Sequence, residues 1–265
     1  MRLYWEVARR ALQRQLAYRT ENLAGLVTNG FFGYLRAAVF LAAYQGLGAA
    51  TIGGYDLQAA VTYSWVTQSL IMIVALWGWW DVDQTIRTGD VVSDLSKPFW
   101  YLGFWLARDL GRAAYFVVFR AAPVMLIGQV LFGLRWPSSP AVWLAVALST
   151  ILAAVLSFGV RILLNLSAYW TIDARGLGAL ANTATTFLGG FVIPIRYFPD
   201  WLQPLALALP FAGITQTPSD IFVERVRGFE VVWLLAEQLL WAVVLLALAQ
   251  LVVAMATRRV VVQGG

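Results

Sequence analysis

The sequence predicts an all-α membrane protein. It has six transmembrane helices, an N-terminal amphipathic interfacial helix, a short cytoplasmic helix after span two, and outer re-entrant helices between spans five and six. Three observations predict this. Only 12% of the 265 residues are charged and 60% are hydrophobic, whereas soluble domains carry about 25% charged residues. Mean hydropathy is +0.71, and apolar runs near the ~20 residues of a bilayer span recur along the chain. Thirteen Trp and ten Tyr suit the two membrane–water interfaces.

Residues 1–21 form the first unit. Arg2, Arg9, Arg10, Arg14 and Arg19 are spread along it, unlike the short basic start and apolar block of a cleavable signal. At 100° per residue, Arg9, Arg10 and Arg14 fall on one arc and Tyr4, Trp5, Ala8 and Leu12 on the other. That pattern is a basic amphipathic helix on a membrane surface, in contact with lipid, with a plain solvated helix as the alternative.

Residues 22–265 form one six-span domain. The spans lie near 22–44, 57–80, 110–131, 141–168, 177–193 and 231–256, the second ending in Trp77, Trp79 and Trp80. Orientation follows the Lys/Arg excess. The larger set holds the N-terminal arginines, Arg87, Lys97, Arg108, Arg112, Arg175, Arg258 and Arg259; the opposite set holds Arg135, Arg196, Arg225 and Arg227. Both termini are therefore expected in the cytoplasm, which requires an even number of spans. The net charge of +5 is read as topology and anionic-lipid contact, with no nucleic-acid partner.

Two connections are more than turns. In 81–109, Asp90 can cap a short helix with Val91, Val92 and Leu95 apolar and Pro98 stopping it. Such a helix across the cytoplasmic mouth is a docking element, or else a solvated interfacial loop. In the outer connection, Pro194, Pro199, Pro204, Pro210 and Pro218 punctuate apolar pieces too short to span. They fit re-entrant helices over 194–230, which survive at membrane depth only when packed on protein.

The chain has no His and no Cys. A Ser-His-Asp triad and thiol chemistry are excluded, and neither a zinc enzyme nor another metal site is expected. No G-x-x-x-x-G-K-[ST] string occurs, and Lys97, the only Lys, precedes Pro98. The chain therefore has no P-loop for ATP.

Ionisable groups inside spans are functional hypotheses because their burial costs about 2.5–3.5 kcal/mol or more. Arg36, Arg120, Arg161 and Glu237 are of this kind. Snorkelling is the expected account of Arg161 and Glu237. For Arg36, snorkelling and a place lining a pathway or subunit interface both stand. Gln68, Gln129 and Asn165 can bond across helices, as packing or in a pathway.

The residues of both connections resemble a known family. Ile86, Arg87, Thr88, Gly89, Asp90, Val91 and then Leu95, Lys97 and Pro98 resemble the second cytoplasmic connection of ABC-2 type permeases. Gly189, Gly190, Phe191, Ile193, Pro194, then Phe198, Pro199, Trp201, Leu202, then Leu209, Pro210, Phe211 and Pro218 resemble that family's "G-x-x-IP…FP-x-WL…LPF" run. Val262, Gln263, Gly264 and Gly265 resemble a subgroup's ending.

The resemblance implies a membrane subunit in a bacterial plasma (inner) membrane. It would work with two cytoplasmic ABC ATPase subunits and a second permease, identical or homologous. ATP and Mg would sit on the ATPase, leaving this chain without a cofactor and not itself an enzyme. Residues 81–98 would couple to the ATPase, through Ile86, Arg87, Thr88, Gly89, Asp90, Val91, Val92, Asp94, Leu95, Lys97 and Pro98. Phe191, Pro194, Phe198, Pro199, Trp201, Pro210 and Phe211 would belong to an outer gate. The cargo would be hydrophobic or amphipathic, in the lipid, drug or peptide class.

An ion-gradient-driven secondary transporter is the alternative. No internal repeat supports it, and Glu237 is the only acid well inside a span. A membrane-embedded enzyme ranks third, lacking an acidic pair in the spans.

Overall fold

The computed structural model describes residues 2–17, 19–75, 79–171 and 175–257. Trp77, Arg258, Arg259 and 262–265, used in the sequence reading, lie outside them. Among the described residues the fold is all-helical, with no strand beyond one isolated bridge between Ile52 and Tyr55. The helices are α1 (Arg2–Leu16), α2 (Arg19–Leu47), α3 (Leu57–Ile73), α4 (Asp81–Thr88), α5 (Val91–Leu95), α6 (Tyr101–Phe116), α7 (Ala122–Phe132), α8 (Pro140–Leu166), α9 (Arg175–Leu188), α10 (Leu202–Leu207), α11 (Ala212–Phe222) and α12 (Phe229–Thr257).

Among the described residues four helical stretches are long and apolar enough to cross a membrane: 22–47, 101–132, 140–169 and 229–257. The other two expected spans are shorter. Helix α3 has 17 residues and α9 has 14. Local chemistry explains several boundaries. Ser139 accepts from the Val142 N–H and Pro140 opens α8, the N-cap and N1 preferences acting together. Asp56 accepts from the Ala59 N–H at 2.7 Å to start α3.

The expected third span begins earlier than 110. It runs unbroken from Tyr101 to Phe132 through a π turn at Val117–Ala121. Pro123 follows that turn and has no N–H for the carbonyl one turn back, so the helix widens there. Residues Arg108, Asp109 and Arg112 are tolerated inside it because they are paired.

Helix α3 is buried all round, and Trp65, Tyr63 and Tyr55 are among the largest fully buried side chains. It stops at Ile73, seven residues before the expected end. Its last carbonyls are satisfied by side chains of other helices. Arg112 of α6 donates to the carbonyls of Met72 and Ile73, the latter at 3.0 Å, and Ser157 of α8 donates to Val74 at 2.5 Å. A cation on a helix C-terminus also meets the negative end of its dipole.

Helix α1 packs along α6 as well as presenting an open face. The backbone of Ala8 lies so close to Gly111 that a Cβ there would stand 2.1 Å from the Ala8 carbonyl oxygen. Tyr4 accepts from the Trp100 N–H at 3.1 Å. Trp5 is 70% exposed, and Arg9, Arg10 and Arg14 are exposed. Gly111→Val is therefore expected to cost about 1–3 kcal/mol of docking through overpacking. Trypsin should then cut faster after Arg9, Arg10 and Arg14 in α1, and unchanged cleavage would remove the claim that Gly111 seats this helix.

Candidate functional site

The region expected to form one short helix is an elbow of two. Gly89 takes a left-handed conformation (φ +82°) between α4 and α5, which glycine adopts without steric cost. Asp90 occupies the N-cap position of α5 but makes no capping bond to the backbone. Its carboxylate accepts instead from the Thr88 hydroxyl at 2.7 Å across the bend. Pro98 follows the helix end, as expected.

The elbow has a seated side and a free side. Val82 and Val91 are buried in a cluster with Leu102, Trp105, Phe158, Ile162 and Val253. Ile86 and Leu95 pack at its edge. Arg87, Thr88, Gly89, Asp90, Val92 and Lys97 are exposed. Lys97 pairs with Asp94 at 2.7 Å. The turn thus projects a short polar tip, with Val92 as an apolar spot, from a firmly packed base.

Asn165 fastens that base to α8. Its carbonyl oxygen accepts from the Asp83 N–H at 2.9 Å, and its amide donates to the carbonyls of Trp79 and Arg161. Asn165 is 1% exposed. This residue, a pathway candidate by sequence, is a bracket between the elbow and a long helix.

One turn along α8 sits Arg161, buried and not snorkelling. It pairs with Asp109 of α6 at 2.7 Å, and Asp109 also holds Arg112 at 3.0 Å. Arg161 lies over the Trp79 ring, 5.3 Å from its centroid. Two guanidinium groups face one carboxylate, and the carbonyls ending α3 take up the rest of the Arg112 donors. The elbow, α3, α6 and α8 therefore meet at one polar knot. Arg14 of α1 lines a cavity of about 260 Å³ beside it.

The remaining span candidates separate. Arg36 and Gln68 come together with Phe191, lining one cavity of about 260 Å³. Arg36 donates to the carbonyls of Phe191 and Val192 and lies 4.7 Å from the Phe191 ring centroid. Its Nε and Nη1 are buried without a partner. Arg120 is elsewhere: it leaves the π turn, donates to the Asn22 carbonyl at 2.9 Å, and fills the space beside Gly25. Glu237 is half-buried in a third cavity, of about 320 Å³, with Arg196 and Gln238.

At the end of the bundle away from the elbow, the Pro-rich segment folds onto α3. Pro194 precedes a 3-10 turn at Ile195–Tyr197, Phe198 stacks on Phe187 at 4.7 Å, and Pro199 leads into α10. Pro210 is buried, Phe211 half-buried, and Trp201 is 74% exposed. Helix α11 carries the polar residues that the sequence reading missed. Gln216 joins Tyr63 (2.7 Å), Tyr55 (2.7 Å) and the Ile195 N–H (2.9 Å). Asp220 accepts from Tyr55 and pairs with Arg225 at 3.0 Å. Burial pushes the Tyr55 phenol well above its usual range and the Asp220 charge adds to this, so Tyr55 remains a donor. The signal was present as Gln216 and Asp220 at i, i+4 in an otherwise apolar segment.

Among the described residues no group of His, Cys, Asp and Glu could hold a metal ion. A family model described as ABC-2 family transporter protein matches residues 34–264. Comparison with curated proteins gives no match. The matched stretch contains the elbow, the polar knot and the Pro-rich segment. With most of its length matched and four helices able to cross a bilayer, this chain belongs to the ABC-2 transporter family, as a multi-pass membrane permease.

Proposed function

We propose that the chain is the transmembrane subunit of an ATP-driven exporter and that a separate ATPase docks on the elbow between α4 and α5. The carrying observation is the exposed tip at Arg87, Thr88, Gly89 and Asp90, set on a base that Val82, Val91 and Asn165 fix to the bundle. A docking element needs an accessible surface and a stiff link to whatever must move. Here the link runs through Asn165 to α8 and on to the knot of Asp109, Arg112 and Arg161. Helix movement imposed at the tip would reach α3, α6 and α8 together.

In this reading the elbow and both termini are cytoplasmic, in a bacterial inner membrane. Helices α3 and α9 complete six spans, with α10 and α11 re-entrant between the fifth and sixth. Two ATPase subunits carry ATP and Mg, and a second permease, identical or homologous, completes the assembly. The cargo is hydrophobic or amphipathic.

Mild-detergent affinity purification from the native host, with mass spectrometry of stoichiometric partners, tests this. A co-purifying ABC ATPase is the expected result, and a second six-span protein would define a heterodimer. An intact complex without any ATPase would overturn the proposal and direct the next assay to ion gradients.

A further inference from the structure

A cavity of about 570 Å³ lies between α3, α7, α8 and α11 and belongs to none of the sites above. Its walls are hydrocarbon, including Leu70, Met125, Val146 and Phe222, with Ser69 and Thr150 as the polar exceptions. An apolar cavity stays dry, so water does not fill it. We propose that it holds one acyl chain of a bilayer lipid.

Three observations fix the occupant. First, the mouth opens on the apolar surface of two helices long enough to cross a bilayer: the lining residues Val117, Leu126 and Ile151 are 44%, 60% and 54% exposed. Second, depth matches one leaflet. From Trp143 to Ile151 along α8 the rise is about 12 Å at 1.5 Å per residue, most of half the ~30 Å hydrocarbon core. Third, Trp136 and Trp143 are stacked at 5.9 Å at one end of the cavity, beside the start of α8. Paired indoles at that level suit the headgroup boundary. A chain seated there would touch Pro218 and Phe222 of α11, and so would reach the Pro-rich segment from the membrane side. This inference goes beyond the permease reading and does not require an ATPase.

The test uses the full-length protein, delipidated by extensive detergent washing. It is then reloaded with a phosphatidylethanolamine whose acyl chain carries a diazirine. After a second wash, native mass spectrometry should show one retained lipid per chain. Illumination should place the cross-link on peptides containing Met125 or Val146–Ile151 side chains. Ala122→Trp and Ala147→Trp, on opposite walls, should each lower that adduct at least tenfold, on the order expected when packing space is removed. The wild-type cross-link decides even where a variant fails to fold. No retained lipid, a retained lipid cross-linked elsewhere, or folded variants that keep the adduct would overturn the proposal. A dimer of the chain seen by native mass spectrometry with no lipid retained would do the same.

Discussion

Replacing Asp109 by Ala is expected to destabilise the bundle by about 3–5 kcal/mol, the usual cost of removing one partner of a buried ion pair. Asp109 is 3% exposed and, among the described residues, is the carboxylate that pairs with Arg161. Without it, two guanidinium groups face each other in the interior. Arg112 would keep its bonds to Met72 and Ile73, while Arg161 would keep its bond to Ser157 at 3.2 Å and its contact with the Trp79 ring but no carboxylate. Thermal unfolding in detergent, followed by helical circular dichroism, measures the loss. Pairing Asp109→Leu with Arg161→Met should recover much of it, since a packed apolar pair often equals a buried ion pair. A single variant as stable as the parent would show that the knot does not hold α6 to α8.

That knot also explains how far the sequence could be read. Helix α8 was legible from its apolar run near 141–168, and its start is fixed locally, by Ser139 and Pro140 beside the first turn. The last span was legible from its unbroken apolar run. The end of α3 was not, because the groups that terminate it, Arg112 and Ser157, come from α6 and α8. The one breaker between Ile73 and Trp80 in the chain, Gly78, lies five residues past the observed end. The start of the third span was hidden for a related reason. Arg108, Asp109 and Arg112 lower its apparent hydropathy, yet Asp81, Arg161 and the α3 carbonyls pair them in space. The elbow was half legible. Asp90, Val91, Val92, Leu95 and Pro98 marked the second helix and its apolar side, while α4 and the left-handed Gly89 that sets it at an angle were not marked. Asn165 had no signature, since an amide that brackets two helices reads like any polar residue in a span.

Gly89→Val combined with Asp90→Leu is the second large expected effect. A β-branched residue at φ +82° is strained by roughly 1–3 kcal/mol, and Asp90→Leu removes the bond to Thr88 across the bend. The tip would change shape while Val82, Val91 and Asn165 still hold the base. Recovery of the ATPase subunit with the permease is expected to fall about tenfold, equivalent to ~1.4 kcal/mol of association, with the melting profile of the spans unchanged. Parallel loss of helical structure would mean that the turn stabilises the fold and is not a docking surface. Full recovery of the ATPase would mean that the partner binds elsewhere.

The most direct test of the docking claim uses the absence of cysteine from the chain. Thr88→Cys places a single thiol on the exposed tip of the elbow. In membrane vesicles from the native host, a short heterobifunctional reagent attached there should capture an ABC ATPase subunit, identified by mass spectrometry. The same reagent on Trp201→Cys, at the opposite end of the bundle, should not. Capture of the ATPase from position 88 alone is the result this account predicts. Equal capture from both positions, or a position-88 thiol that reacts with impermeant reagents from outside intact cells, would contradict it.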